Sequence, residues 1–250
     1  FYGRVAGAGH EDPEDGYDVV TTLDLDLQDV ADKALRQQLE RQNALWGTTI
    51  VMETRTGEIL ALANLGRNAD GSFAERENYA LSRSMEPGST FKLVQGLIGL
   101  QEGVLRPSDL HVCHEGYQVG RRRMKCHAHA SPLDLRFAVA TSCNAYFCYV
   151  FRDILDNRKY ESVKDGYDVW KEYVESFGFG RKLGSDFLDE GNGYVPDRSY
   201  YDRQYRGSWN SLTVISLAIG QDALGCTPLQ LANLAAIVAN RGYYLSLIHI

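Results

Sequence analysis

A serine and a lysine three residues apart form the pair best suited to covalent chemistry. Ser89 and Lys92 follow Pro87-Gly88 and open an almost wholly apolar run that ends at Gly103. On a helix this spacing puts both side chains on one face. The Pro-Gly turn would place Ser89 at the helix N-terminus, where backbone N–H groups stabilise a developing oxyanion. Burial of the apolar helix should lower the pKa of the lysine, and a partly neutral amine activates a hydroxyl as a nucleophile.

Taken alone, the S-x-x-K pattern favours a plainer interpretation, in which the serine caps a core helix and the lysine reaches solvent. A second motif changes that balance. Ser142-Cys143-Asn144 follows some fifty residues later, near the junction of two predicted helical segments in "PLDLRFAVATSCNAYFCYVFRDIL". S-x-x-K, S-D-N and K-T-G together form the motif set of penicillin-binding proteins and class A β-lactamases. The sequence therefore contains the first two members of that set, in order.

Four cysteines and four histidines fall in one short region of the chain. The cysteines are Cys113, Cys126, Cys143 and Cys148, and the histidines are His111, His114, His127 and His129; Cys226 stands apart. Cys126-x-x-His129 has the compact spacing of structural zinc ligands. We predict a site built from Cys113, Cys126, His129 and Cys143, with His127 as the substitute for His129. A Cys113–Cys126 disulfide and a set of buried free thiols are the alternatives.

The elements that must position these residues alternate between strands and helices. "GTTIVMETRTGEILALANLG" predicts two antiparallel strands joined by a turn at Thr56-Gly57. The lead-in from Asp18 reads as a strand that becomes a helix from Leu27, residues 104–131 and 188–210 read as irregular, and "TPLQLANLAAIVANRG" predicts a capped late helix. This order predicts an α+β fold, an antiparallel sheet flanked by a helical cluster.

Four segments resemble class B penicillin-binding proteins in the order that the family has them. They are "TTLDLDLQ", "TGEILALANL", "EPGSTFKL" and "IGQDALGCTPLQLANLAAIVANRG", and the resemblance extends from about Val19 to Tyr244. The region around "SCNAYF" is most similar to the elongation type, penicillin-binding protein 2, with the division type as the near alternative. The resemblance implies the penicillin-binding protein/β-lactamase-like transpeptidase fold.

The resemblance also implies roles for the motif residues. Ser89 would be the acylated nucleophile, Lys92 its general base, Ser142 a proton relay and Asn144 a hydrogen-bonding partner of the substrate. The reaction would cross-link peptidoglycan stem peptides by acyl transfer, and β-lactams would trap the same serine. Some elongation-type members carry a metal at the matching place, held by mixed carboxylate, His and Cys ligands. Cysteines would replace those carboxylates here, which strengthens the case for structural zinc. The resemblance implies no organic cofactor.

The third motif, K-T-G, should follow the late helix, but the sequence ends at "YYLSLIHI" without it. We therefore expect residues 18–250 to form a transpeptidase domain lacking its final K-T-G strand region, and this fragment to be inactive. The last six residues do not resemble the family's continuation. Residues 1–17, rich in Gly, Asp and Glu, read as a linker or the remnant of a preceding domain.

Charge and composition exclude one class of partner. The net charge of −7 argues against a nucleic-acid-binding protein, which normally carries a basic stripe. By resemblance, the partners would be stem peptides, β-lactams and a membrane glycosyltransferase of the elongation machinery, at the periplasmic face of the cytoplasmic membrane. Two rival functions stay open: a β-lactam-sensing receptor, and a β-lactamase or D,D-carboxypeptidase. The latter needs a base for water, and Glu161, Glu172, Glu175 and Glu190 have no spacing that selects one.

Overall fold

A computed structural model describes residues 16–244 and has an α+β architecture, as the sequence predicts. Two sheets lie among the helices, a three-stranded antiparallel sheet and a separate two-stranded hairpin. The strands are β1 (Trp46–Met52), β2 (Ile59–Arg67), β3 (Phe73–Ala74), β4 (Gly116–Val119) and β5 (Arg122–Lys125). The α-helices are α1 (Leu25–Arg41), α2 (Tyr79–Ser82), α3 (Lys92–Gln101), α4 (Leu135–Ala140), α5 (Asn144–Leu155), α6 (Val163–Ser176), α7 (Arg198–Gln204) and α8 (Pro228–Ala239). Two 3₁₀ helices span Gly88–Phe91 and Ile215–Ile219.

The predicted hairpin forms the centre of the larger sheet. Strands β1 and β2 pair antiparallel, with Thr49 opposite Ala63, and β3 pairs with the far end of β2. The turn contains Gly57 at φ +82°, a left-handed conformation that glycine adopts without strain. Helix α1 begins at its N-cap Asp24, whose carboxylate accepts from the Leu27 N–H, and lays its apolar face on the sheet.

The helical cluster contains the principal core, and α3 lies in its centre. Phe91, Trp170 and Phe179 meet edge to face beside this helix. The buried Gln95 of α3 accepts from Trp170 Nε1 at 3.0 Å and donates to the Leu217 carbonyl at 3.1 Å. A buried amide that satisfies both partners fixes the register of α3 against its neighbours. The helix that carries Lys92 is therefore held rigidly.

Three of the predicted elements differ in the structure. Residues 16–24 form no strand, and helix α1 begins at Leu25 instead of Leu27. Both segments predicted as irregular contain regular structure: residues 104–131 contain the β4–β5 hairpin, and residues 188–210 contain α7. The predicted linker at residues 1–17 lies almost wholly outside the described residues, as do the last six, and the domain boundaries stay a prediction. Within residues 16–244, no helix has the length and apolar character needed to cross a bilayer.

Candidate active site

The nucleophile turn is the short 3₁₀ helix that leads into α3. Gly88 enters it at φ +57°, Ser89 is exposed, and Lys92 is the first residue of α3. Lys92 is only 3% exposed, and its Nζ lies 3.2 Å from Ser89 Oγ. The one-turn spacing therefore brings the hydroxyl and the amine together at the boundary between solvent and core.

The segment Ser142–Asn144 joins α4 to α5 and faces the same amine. Ser142 adopts φ +53°, which is unusual for a residue with a side chain. Cys143 is the N-cap of α5, and its Sγ accepts from the Tyr146 N–H at 3.4 Å. The two flanking side chains turn toward Lys92, whereas Cys143 is fully buried on the other side.

Lys92 Nζ is enclosed by oxygen atoms of both motifs. Besides Ser89, it donates to the Ser142 carbonyl at 2.8 Å, to Ser142 Oγ at 2.9 Å and to Asn144 Oδ1 at 2.5 Å. The Asn144 amide is itself oriented, because its Nδ2 donates to the Lys125 carbonyl at 2.7 Å. The role of Lys125 could not be predicted from its residue type, because the contact is made by its backbone carbonyl. Two segments fifty residues apart thus converge on one amine.

The electrostatics of this amine suit it to accept a proton. Burial lowers the pKa of Lys92 below its ordinary value, against the opposing influence of Cys126, Cys143 and Cys148. A neutral amine can donate to two oxygens and still offer its lone pair to a hydroxyl proton. The geometry can therefore convert Ser89 into a nucleophile.

A pH dependence follows from the direction of this shift. Only the neutral amine can take the serine proton, and the neutral fraction rises with pH until the pKa of Lys92 in the folded protein is passed. Because that pKa is lowered, we expect the rate of serine acylation to reach its plateau below pH 10.5, the ordinary lysine value. Stopped-flow acylation by a β-lactam across pH 6–10 measures this. A rate still rising tenfold per pH unit at pH 10 would contradict it.

Gly220 lies against the nucleophile turn. The Gly88 N–H donates to the Gly220 carbonyl at 2.9 Å, and a Cβ on Gly220 would overlap the Gly88 carbonyl oxygen and lie 2.7 Å from Phe91 Cβ. Gly220 also adopts φ +69°. The end of the second 3₁₀ helix thus supports the turn that holds Ser89, a role that its sequence neighbourhood does not reveal.

Gly220→Ala should therefore harm both stability and acylation. Gly207 is a matched control, since it has φ +75° but a Cβ added there would have no atom within 4 Å. We expect Gly207→Ala to cost about 1–2 kcal/mol of unfolding free energy, from the left-handed backbone alone. Gly220→Ala should cost about 1–3 kcal/mol more of unfolding free energy, because the added methyl group overpacks the turn. It should also lower the rate of Ser89 acylation. Urea unfolding and acylation rates measure this; equal losses in the two variants would contradict it.

The four predicted cysteine and histidine residues form one cluster. One candidate ligand atom from each of Cys113, Cys126, His129 and Cys143 lies within 4.8 Å of the others, so the cluster could hold a metal ion. His129 Nδ1 lies 2.8 Å from the Ala130 carbonyl, whereas its buried Nε2 has no hydrogen-bond partner among residues 16–244. An orphaned ring nitrogen among thiols is what a metal ligand requires.

The thiols of the cluster differ in acidity and are not cross-linked. All five cysteines of the chain are free, and Cys148 and Cys226 lie in the core. Burial raises the pKa of Cys143 to about 12. Burial opposes ionisation of Cys126 too, but the hydrogen bonds that it accepts, led by the Ala145 N–H, bring its pKa below the ordinary value.

The four carboxylates considered as bases for water lie elsewhere. Glu190 is buried and accepts from the Ser185 N–H and hydroxyl at 2.8 and 2.7 Å, and Glu175 pairs with Lys171. Glu161 and Glu172 are exposed. Across residues 16–244, none of the four forms a hydrogen bond or an ion pair with Ser89 or Lys92. The described part of the site has no carboxylate base of this group next to the nucleophile.

Comparisons with known proteins identify the family of the chain. The family described as the penicillin binding protein transpeptidase domain matches residues 47–250. "Peptidoglycan D,D-transpeptidase MrdA" of Acinetobacter baumannii is 30% identical over 264 aligned residues, covering 94% of this chain and 35% of that relative. "Penicillin-binding protein 2A" of Bacillus subtilis is 26% identical, covering 91% of this chain and 32% of that relative. The chain spans about a third of the length of these relatives.

A solved structure shares the fold. PBP2 of Pseudomonas aeruginosa, crystallised in complex with WCK 5153, superposes with a TM-score of 0.72 at 24% identity, covering 90% of this chain and 52% of that one. The chain therefore has the transpeptidase fold that the sequence predicts. It belongs to the penicillin-binding protein transpeptidase family, which confirms the resemblance drawn from its motifs.

Proposed function

We propose that the chain is the catalytic part of a serine peptidoglycan D,D-transpeptidase. One observation carries this proposal: the Lys92 amine touches Ser89 of the first motif and both Ser142 and Asn144 of the second. Relatives that carry the name peptidoglycan D,D-transpeptidase support the reaction type. A lysine that only stabilised the fold would not need an exposed serine hydroxyl within hydrogen-bond distance of its Nζ.

In the acylation step, Lys92 takes the proton of Ser89 as the hydroxyl attacks the carbonyl of the penultimate D-alanine. The oxyanion that forms is stabilised by backbone N–H groups, one of them from Ser89 at the start of its helix. The proton passes from Lys92 through the Ser142 hydroxyl, 2.9 Å away, to the departing amine. The C–N bond breaks, terminal D-alanine leaves, and the acyl group stays on Ser89.

In the second step, an amine on a neighbouring stem peptide attacks the acyl-enzyme. Ser142 and Lys92 accept its proton by the same route, the Ser89 ester breaks, and the hydroxyl regains a proton. Asn144, oriented by Lys125, is placed to hydrogen-bond the peptide backbone of the substrate. In the described part of the chain, none of the four candidate carboxylates hydrogen-bonds to Ser89, which supports transfer of the acyl group to the amine over transfer to water.

A fluorescent penicillin followed by a transfer assay tests the proposal. Because the sequence ends before the expected K-T-G motif, this assay and every other acylation experiment use the full-length parent protein. A long-lived adduct on Ser89, together with cross-linked product from a stem-peptide donor and an acceptor amine, is the expected result. Rapid turnover of the penicillin would favour a β-lactamase instead. A stable adduct without cross-linking under conditions where an established relative cross-links would favour a β-lactam sensor.

We also propose a role in cell elongation and shape at the periplasmic face of the cytoplasmic membrane, with a membrane glycosyltransferase as partner. The similarity of the "SCNAYF" region to the elongation type supports this role. Depletion in a rod-shaped host should then produce round cells; filaments would point to the division type.

Zinc is the metal that we propose for the cysteine–histidine cluster. Three thiols and one imidazole are a ligand set that structural zinc favours. In a tetrahedron with Zn–S bonds of about 2.3 Å, the sulfurs lie about 3.8 Å apart. The Cys126 and Cys143 sulfurs lie 3.9 Å apart. When bound, the ion would supply cross-linking and no chemistry of the reaction.

The position of this cluster explains what it would stabilise. Cys143 lies between Ser142 and Asn144, and Cys126 follows Lys125, whose carbonyl orients Asn144. A metal held by these cysteines would fix the second motif from the side opposite Lys92. The contacts of Lys92 with Ser142 and Asn144 would then depend on the metal, although Cys143 lies on the side opposite Lys92.

Metal analysis of the purified protein tests this arrangement. We expect about one zinc ion per chain, lost in Cys143→Ser with a fall in the melting temperature. Cys226→Ser is the matched control, because it also replaces a buried cysteine but lies outside the cluster. It should retain zinc. A wild-type protein without zinc after preparation in zinc-containing medium would contradict the assignment.

A further inference from the structure

The thiol cluster is open to small molecules from one side. A cavity of about 620 Å³ is bounded by Cys113, Cys126 and His129, with Lys125 and His127 among its other lining residues. Cys126 is half-buried at this cavity, whereas Cys143 is fully buried and does not line it. The two sulfurs lie 3.9 Å apart. An accessible thiol thus has a protected thiol within reach.

We propose that Cys126 and Cys143 form an oxidation site. A small hydroperoxide converts the two thiols into a reversible disulfide, which prevents acylation of Ser89. Cys126 is the sulfur that the oxidant meets, and Cys143 resolves the product. The inference goes beyond the proposed zinc site, because the disulfide depends only on the positions of the two sulfurs. Its effect on acylation rests on the proposed roles of Lys92, Ser142 and Asn144.

The chemistry balances with hydrogen peroxide as the oxidant. The Cys126 sulfur attacks one peroxide oxygen, the O–O bond breaks, and the thiol proton leaves with the departing hydroxide as water. The sulfenic acid so formed is attacked by Cys143, which forms the S–S bond and releases a second water. Two thiols lose two electrons in total, and one peroxide is reduced to two waters.

Closing this bond must move the second motif. A disulfide is about 2.05 Å long, so the sulfurs must approach by roughly 2 Å. Both are tied to the start of α5: Cys126 Sγ accepts from the Ala145 N–H at 3.3 Å, and Cys143 Sγ accepts from the Tyr146 N–H. Movement of either sulfur reaches this motif, because Cys143 is bonded to Ser142 and Asn144, and Cys126 is bonded to Lys125, whose carbonyl orients Asn144. The contacts of the motif with Lys92 are therefore loosened. The bond would also remove two of the thiols proposed to hold zinc, so a bound ion would slow the oxidation.

Peptide mapping and acylation of the same samples test the inference. The full-length parent protein, both as purified and after removal of zinc by a chelator, is treated with hydrogen peroxide, digested without reductant and analysed by mass spectrometry. We expect a Cys126–Cys143 cross-link, formed several-fold more slowly with zinc, and at least a tenfold fall in labelling of Ser89 by a fluorescent penicillin. Dithiothreitol followed by zinc should restore labelling, which it would not do after methionine oxidation.

Two variants sharpen the result. After peroxide, Cys126→Ser should keep the labelling rate of its own untreated sample, whereas Cys226→Ser should lose labelling like the wild type. A Cys113–Cys126 cross-link, a cross-link that leaves labelling unchanged, or reversible loss of labelling without a cross-link would each overturn the inference. Absence of labelling before oxidation would count against the proposed function instead, and the cross-link map would still decide whether the disulfide forms.

Discussion

Ser89→Ala should abolish covalent labelling by a fluorescent penicillin altogether. The alanine has no atom that can form the ester, and Ser142, the other hydroxyl beside Lys92, lies at the start of a different helix and not in the nucleophile turn. The fold should change little, because Ser89 is exposed and, among residues 16–244, its side chain hydrogen-bonds to Lys92 alone. Denaturing gel fluorescence after incubation measures the adduct.

Ser208→Ala provides the control for this result. Ser208 is also exposed, and no hydrogen bond of its side chain is found in the described part of the chain. It should label at the wild-type rate. Labelling of Ser89→Ala at another residue, at more than a trace of the wild-type rate, would show that Ser89 is not the nucleophile.

Lys92→Met should slow acylation by about 10²–10⁴-fold, the usual contribution of a positioned general base. Methionine keeps much of the length and apolar character of the lysine side chain but cannot accept a proton. It also removes the donor to the Ser142 carbonyl and Asn144 Oδ1, so both motifs lose their common partner. Rapid-quench measurement of adduct formation gives the rate, and urea unfolding shows whether the fold is retained.

A separate outcome would refute the role of the amine. Lys182→Met is the control, because Lys182 is an exposed lysine outside the motifs, and it should acylate normally. If Lys92→Met, folded like the wild type, formed adduct within about threefold of the wild-type rate, the base would have to be another group. The remaining slow rate of Lys92→Met should also lose the pH dependence expected of Lys92.

Local patterns predicted the parts of the fold that depend on neighbours in sequence. The β1–β2 hairpin follows from alternation around Thr56-Gly57, and α8 follows from the N-cap and first-turn pair Thr227-Pro228. Helix α7 and the β4–β5 hairpin were missed, because their polar and basic residues show little apolar periodicity. The strand expected before α1 was wrong, since residues 16–24 alternate in polarity but form no ladder with the described strands.

The candidate site likewise has parts that could be predicted from the sequence and parts that could not. Residue types and spacing identified Ser89, Lys92, Ser142 and Asn144, and the structure brings them together, while their catalytic roles stay a proposal. The backbone contributions could not be predicted. The Lys125 carbonyl and the close approach of Gly220 depend on chain crossings that leave no mark on residue type.

The left-handed backbone of Ser142 implies a compromise between folding and turnover. Its φ of +53° would suit glycine or asparagine better, and a non-glycine residue there costs on the order of 1 kcal/mol or more. Glycine would relieve the strain but remove the hydroxyl next to Lys92. Selection for greater thermal stability alone should therefore favour glycine at this position, and selection for the proposed acyl-transfer reaction should favour serine. Stabilised variants obtained without an activity screen should be checked at this codon first.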